Sequence, residues 1–515
     1  MLKKIPSSYW IASIFTCILL IMSVSSPENF LEIVDSLNLS IFNIFGDFYL
    51  WFVFGTLILL LIIAISSLGR IKIGGKDAQI EHSFFSWFSM LFCAGMGIGL
   101  LFWGGAEPLY FFLNPPVEGT TSVESKELMA FQFAFFHWGL HPWAVYALTT
   151  LAICFFSMNL KRGIHFSTFF SKNTCYPEPL SLKRFLKSFV NNVTIIAILF
   201  GVVCSFGMGV VQVEGGLNNL FGIKQSGLVE VIIIIAITVC YMISTLRGLN
   251  NGIKVLSNVS MVLSFVLLGL LIIVLPLGET IKTMIQAVPA YIQNITDMSL
   301  GNYNYADEHF LREWTTKYWA WWIAWAPFVG IFVALISKGR TVRQLLLAML
   351  FAPTLFSILW FTVFGKSAII LEQTQGFAGA DLNFANINLI LYKIVDGLFT
   401  SPLVGWLCFV LVFIFFVNSA DSATYTLAAI SQRGKNCVKI NDNNDVEIKE
   451  PALFLQVCWG VTFSVLTGLF LFLGGMELLQ QITLIMVLPF SMLLCFIFIK
   501  LTYDMVKYYR KEYKA

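Results

Sequence analysis

What constrains this chain most is its succession of apolar stretches. A bilayer core of about 30 Å needs roughly 20 apolar residues per helix. Twelve stretches meet that length, near 9–26, 48–67, 84–106, 129–156, 188–213, 228–246, 254–277, 317–337, 343–366, 402–430, 451–473 and 478–500. In lipid the backbone must satisfy itself, and runs of this length do so as helices. The prediction is an all-α integral membrane protein with twelve transmembrane helices. Composition closes off other classes. Of 515 residues, 58% are hydrophobic and 12% charged, whereas a soluble domain carries about 25% charged residues. An ordinary soluble enzyme, a disordered chain and a nucleic-acid binder are excluded. Lys3 and Lys4 before the first stretch imitate a signal peptide, but no small-residue cleavage site follows, so the stretch counts as a span. The 10 cysteines are scattered without a C-x-x-C and read as small buried hydrophobes, not a disulfide framework.

Basic residues orient the spans. With the N-terminus in the cytoplasm, only Lys126, Lys224, Lys282, Arg312, Lys317, Lys366 and Lys393 of the 32 Lys and Arg fall outside. The first outer stretch, 26–50, holds Glu28, Glu32, Asp35 and Asp47 and no basic residue. An even span count puts both termini inside, and the expected location is the plasma (inner) membrane. Residues 278–300 and 381–397 have mixed polarity at helical spacing and predict amphipathic helices on the outer face. The inner loop 433–450 reads as a solvated linker.

Four motifs carry candidate chemistry. The third span contains Gly95-Met96-Gly97-Ile98-Gly99. Each glycine weakens a helix by about 1 kcal/mol relative to alanine. A break there frees backbone polar groups at mid-membrane depth, where transporters hold substrates and ions. Close packing through small residues is the alternative. The fourth span reads His137-Trp138-Gly139-Leu140-His141-Pro142-Trp143-Ala144-Val145-Tyr146. Trp138, Trp143 and Tyr146 can share a face across a kink at Pro142. The histidines have metal-ligand spacing but no evident third ligand. The eighth span packs Trp319, Trp321, Trp322 and Trp325 into seven residues. An interfacial belt is one reading; a box for a quaternary ammonium cation is the other. The tenth span carries Asn418-Ser419-Ala420-Asp421-Ser422, and a carboxylate in a span is functional or partnered by default. No nucleophile–base pair, metal cluster or phosphate loop suggests an enzyme.

Taken together, AGMGIGLLFWG (94–104), FHWGLHPWAVYAL (136–148) and YWAWWIAWAPFVGIFVALISKGRTVRQ (318–344) resemble the betaine/choline/carnitine transporter family over nearly the whole chain. The resemblance implies an inverted-repeat, sodium-symporter-like (LeuT-like) fold with two extra N-terminal helices. The implied divisions are 1–83 for those two helices, 84–277 for the first five-helix repeat, 278–316 for an outer loop with an amphipathic helix, 317–500 for the second repeat and 501–515 for a short basic tail. It further implies a homotrimer in the bilayer, with no nucleic-acid partner. Its substrate box maps onto Trp138, Trp143, Tyr146 and Trp322, with Trp325 on the access path or at a second position. The backbone around Met96, Gly97 and Gly99 would meet the substrate carboxylate. Choline-transporting relatives tend to have aspartate where Gly99 stands, so the chain favours a zwitterion, glycine betaine first, over choline. No cofactor is implied beyond a coupling sodium ion, whose site maps to Cys93, Met96 and Phe415 oxygens with Asn418 and Ser419. The family's second sodium site falls on Ile198 and Val202, which offer no oxygen. The expected activity is sodium-coupled symport by alternating access; sodium-independent exchange or proton-coupled choline/betaine uptake is the alternative. The tail looks suited to anionic lipid, at about 1 kcal/mol per basic residue.

Overall fold

The computed structural model describes residues 7–117, 119–170, 182–245, 254–301, 306–376, 387–432, 438–440, 446–448 and 451–513. Cys175, Cys437, residues 381–386 and most of the 433–450 linker lie outside the described residues, as do the side chains of Cys93, Ala94 and Met96. In chain order the helices are α1 (Ser7–Ser25), α2 (Pro27–Ile65), α3 (Phe84–Trp103), α4 (Ala106–Leu113), α5 (Val123–Trp138), α6 (Leu140–Ile153), α7 (Leu182–Phe221), α8 (Gly227–Thr245), α9 (Lys254–Val274), α10 (Leu277–Gln293), α11 (Ile295–Leu300), α12 (Glu308–Phe310), α13 (Lys317–Leu335), α14 (Val342–Gln375), α15 (Ile390–Leu398), α16 (Pro402–Ser431) and α17 (Leu453–Tyr513). Six-residue π-helical turns, Cys154–Asn159 and Leu311–Thr316, extend α6 and lead into α13. Among the described residues the regular structure is helical apart from a short antiparallel hairpin, β1 (Val438–Ile440) with β2 (Val446–Ile448), inside the predicted linker. Its alternating Val-Lys-Ile and Val-Glu-Ile are strand-like on a local scale.

Among the described residues nine helices are long and apolar enough to cross a membrane, or ten if α3 and α4 count as one bent span. The difference from twelve has two sources. The described apolar part of α1, Tyr9–Ser25, falls just under the length of a span. The last two predicted spans are counted together in α17, although non-helical Gly474 (φ −155°, ψ 16°) and Gly475 (φ 62°, ψ −154°) break that run between them, where the sequence placed the boundary. Positive φ at Gly475 is a conformation that side chains with a Cβ rarely adopt.

Other boundaries also moved. The outer stretch 26–50 is not a bare loop: α2 begins at Pro27, behind Ser26, and continues through it. Proline at a first helical position loses no internal bond. The amphipathic prediction over 278–300 becomes α10 and α11, with Thr280, Thr283, Ala287 and Tyr291 forming the buried stripe of α10. The second such stretch becomes α15.

Burial sorts the helices. The most apolar window of Val123–Asn159 is 100% buried and that of Glu308–Leu335 is 89% buried, against 28% for α8 and 39% for α9. So α5–α6 and α13 form the centre, while α8 and α9 present isoleucines and valines such as Ile232, Ile235, Val262 and Ile273 outward. Such faces suit lipid rather than water.

The basic end of the 318–344 motif laces the end of α2 to the segment that follows it. Arg343 donates to the carbonyls of Ala64, Ile65 and Ser66 at the end of α2. Arg340 donates to His82 and lies 3.9 Å over the Trp87 ring. Backbone pairs Ile73–Arg340, Gly339–Ile73 and Val342–Ile71 close the junction. Gly339 has φ 83°, and a Cβ there would sit 2.4 Å from the Gln79 backbone. The tail does more than its composition suggests. It continues α17 to Tyr513 and docks on protein: Arg162 to Asp504, Asn159 to the Tyr508 hydroxyl, and the Lys72 N–H to the Tyr513 hydroxyl.

Candidate functional site

The glycine motif does break its helix. Gly97 has φ 1° and ψ −108°, and the helical segments Phe84–Phe92 and Gly97–Leu113 are bent by 64°. The neighbouring glycines let other helices approach. A Cβ on Gly95 would lie 2.7 Å from the Trp143 ring, on Gly99 3.0 Å from Trp138 and 3.1 Å from Trp321, and on Gly97 2.7 Å from Ser419 Oγ. The Tyr146 hydroxyl donates to the Gly95 carbonyl at 3.4 Å.

The fourth span breaks one turn from where the sequence pointed. The irregular residue is Gly139 (φ −97°, ψ −127°), and Pro142 sits harmlessly in the first turn of α6. Trp138 therefore ends α5 while Trp143 and Tyr146 ride on α6. The structure still brings these three together with Trp322. Trp138 and Trp322 meet edge to face at 4.9 Å, Tyr146 and Trp322 at 5.9 Å, and Trp143 and Tyr146 at 5.5 Å. The rings fill the space between one another. A cavity of about 220 Å³ opens beside them, lined by Gly95, Gly99, Ser205, Trp321, Trp322 and Trp325. A second cavity of about 410 Å³, walled by Trp103, Glu313, Trp314, Lys317 and Tyr318, reaches the same Trp321. Trp325 donates to the Gly201 carbonyl at 2.8 Å and lines the first cavity rather than joining the four-ring cluster.

Sequence reasoning missed what holds the rings. Glu107, fully buried on α4, accepts from Trp138 Nε1 at 2.6 Å and from the Tyr318 hydroxyl, and pairs with His137 Nδ1 at 2.9 Å. His137 Nε2 meets Thr315 Oγ1 at 3.0 Å, and the His137 carbonyl accepts from Trp322 Nε1 at 3.0 Å. The sequence shows only a glutamate one residue beyond an apolar span, a place that reads as loop. The two histidines do not converge. His141 Nε2 meets Ser299 Oγ at 2.8 Å, and no group of three or more potential metal ligands exists among the described residues. Trp138 and Trp322 thus commit their N–H groups to protein acceptors, whereas Trp143 Nε1 is buried without a partner.

Opposite the α3 break, Ser419 Oγ and Asn418 Oδ1 are also buried without partners, while Asn418 Nδ2 donates to Ser257 Oγ at 2.9 Å. Unsatisfied buried oxygens are uncommon and suit a hard cation. Phe415 lies one turn earlier on α16 and faces Gly97. Ser419 shares a cavity of about 250 Å³ with Val202, Ser205 and Trp325. Ile198 and Val202 are buried on α7 and bring no oxygen from their side chains. Asp421 takes the structural alternative, accepting from Ser244 at 2.5 Å and Thr245 at 2.6 Å.

The model of the betaine/carnitine/choline transporter family matches residues 8–510. The chain belongs to this family. A glycine betaine transporter of Bacillus subtilis, OpuD, is 34% identical to this transporter over 100% of its length and 97% of the relative's. An ectoine/hydroxyectoine transporter of Virgibacillus pantothenticus is 32% identical, covering 94% of this chain and 93% of its own. A glycine betaine/proline/choline/ectoine transporter of Vibrio parahaemolyticus is 32% identical, over 97% and 86%. The transporter is thus a multi-pass membrane transport protein and not an enzyme. A substrate-bound, outward-open sodium-coupled sialic acid symporter aligns with TM-score 0.45 and 12% identity over 88% of this chain and 83% of that one.

Proposed function

We propose that this transporter is a secondary carrier importing a quaternary-ammonium zwitterion, glycine betaine first, by sodium-coupled alternating access. The observation that carries the reading is the cluster of Trp138, Trp143, Tyr146 and Trp322 around the α3 break. Aromatic faces attract a methylated ammonium, which offers no hydrogen bond. The rings touch one another, so the reading requires them to part around the ligand. Gly99 brings no carboxylate of its own to the site, which suits a substrate that brings one. Trp143 Nε1 and the backbone around Gly97 are the donors available to its carboxylate. OpuD, similar over the full chain, supports glycine betaine as the first candidate. Oxygens of Cys93, Met96, Phe415, Asn418 and Ser419 would ligate one sodium ion. We further infer twelve spans, with inverted repeats over 84–277 and 317–500, assembled as a homotrimer with both termini cytoplasmic.

A second reading, sodium-independent exchange, draws on Val202, which puts an apolar side chain in the cavity shared with Ser419. Radiolabelled glycine betaine uptake into proteoliposomes separates the two. Symport predicts accumulation only with an inward sodium gradient. Uptake indifferent to sodium but dependent on internal substrate would replace it with exchange.

A further inference from the structure

The irregular residue Gly139 leaves a backbone donor inside the fourth span. In an unbroken helix Leu140 N–H would bond to the carbonyl four residues back. Here its partner comes from outside the span: it donates to the Tyr291 hydroxyl on α10 at 3.3 Å. Tyr291 is 1% exposed, and a Cβ on Gly139 would lie 3.3 Å from that hydroxyl. The contact belongs to a set. On the α5 side of the break, Thr283 donates to Glu127 at 2.6 Å and Asn294 to Gln132 at 3.2 Å. On the α6 side, Ser299 Oγ already donates to the Ile295 carbonyl, so it accepts from His141 Nε2. Both halves of the broken span are therefore tied to one pair of outer helices.

The break also divides the ring cluster, with Trp138 on α5 and Trp143 and Tyr146 on α6. Any change in the angle between the halves changes the spacing of the rings. We propose that α10–α11 brace the break, and that Tyr291 is a positioning residue holding Trp138 at a set distance from Trp143 and Tyr146. The role in substrate binding rests on the zwitterion reading above; the brace does not.

The test uses the full-length transporter in lipid nanodiscs and proteoliposomes, with Tyr291→Phe and Ser299→Ala. Both variants keep their side-chain bulk nearly intact, and the second carries the test if the first reaches the membrane poorly. Amide exchange across 139–143 should quicken about two- to tenfold, the range for one net hydrogen bond. The apparent KM for glycine betaine should rise by about the same factor with Vmax unchanged. Combining Tyr291→Phe with Trp138→Phe should give a KM effect smaller than the product of the two singles. Unchanged exchange in both variants overturns the brace. Faster exchange with an unchanged KM, or multiplicative effects, overturns the positioning role. Faster exchange in a protein whose wild type takes up no glycine betaine supports the brace and sinks the substrate reading instead.

Discussion

At the scale of single residues, the site divides into faces and edges. Trp138 and Trp322 use their N–H edges to hold position, so what they offer a ligand is their ring faces. A desolvated cation–π contact is worth about 2 kcal/mol, or about thirtyfold in affinity. Trp322→Ala should raise the apparent KM for glycine betaine by about that factor with normal membrane insertion; unaltered uptake would remove the ring from the site. Ser419→Ala should move the sodium activation curve to higher concentration, and a curve that stays put would take Ser419 out of the ion site. The aromatic and hydroxyl residues were legible because their types are costly or odd inside a span. Glu107 was not, because it stands at the edge of an apolar run, where a carboxylate reads as an outer loop residue. Its burial under Trp138, Tyr318 and His137 comes from tertiary packing alone. Glu107→Gln keeps an acceptor; Glu107→Ala leaves several buried donors unpaired at about 1–3 kcal/mol each. Thermal unfolding in detergent should therefore rank wild type, then Gln, then Ala.

At the scale of elements, two broken helices and one capped helix end matter most. The glycine motif announced the α3 break, since three glycines in five residues remove the side chains that would block neighbouring helices. The break near Trp138 was announced too, but at the wrong residue. Proline in a first helical turn costs nothing, and the irregular backbone falls on Gly139 instead. Gly97→Ala should impair uptake while the protein still inserts, because its Cβ would lie 2.7 Å from Ser419 Oγ and displace that hydroxyl from its place opposite the break. The end of α16 is held by His165, in the loop after α6, whose Nε2 donates to the carbonyls of Ile430 and Gln432 at 2.9 and 3.1 Å. Burial pushes the His165 pKa below the usual imidazole value, and the two carbonyls only partly offset this. Below about pH 6.5 the unfolded chain then binds a proton that the folded one resists. Stability should fall as pH drops from about 6.5 toward the lower folded pKa, and then level off. His165→Gln should flatten that part of a melting-temperature profile against pH.

At the scale of the whole molecule, hydropathy located the helical segments well because length and apolarity are set by the bilayer. It also placed the boundary between the last two at the Gly474–Gly475 break of α17. It could not see that α2 starts beyond the predicted span, since that follows from backbone continuity rather than hydropathy. In the tail the basic residues suggested lipid, and composition did not reveal that its tyrosines and Asp504 also bind the segments around Lys72 and Arg162. Deleting residues 504–515 should lower the melting temperature by a few degrees and expose the 70–78 loop to proteolysis; an unchanged digestion pattern would mean the tail holds nothing. One feature of the burial pattern reaches beyond any single variant. The central helices α5, α6 and α13 are enclosed by protein, whereas α8 and α9 turn most of their apolar side chains away from it, and a lipid surface would accept one apolar side chain as readily as another. Inheritance should therefore be strict in the middle of the molecule and loose at its rim. A saturation mutagenesis library selected for uptake would show this directly: α8 and α9 would tolerate leucine, valine, isoleucine and phenylalanine almost interchangeably, while α5 and α6 would tolerate very little.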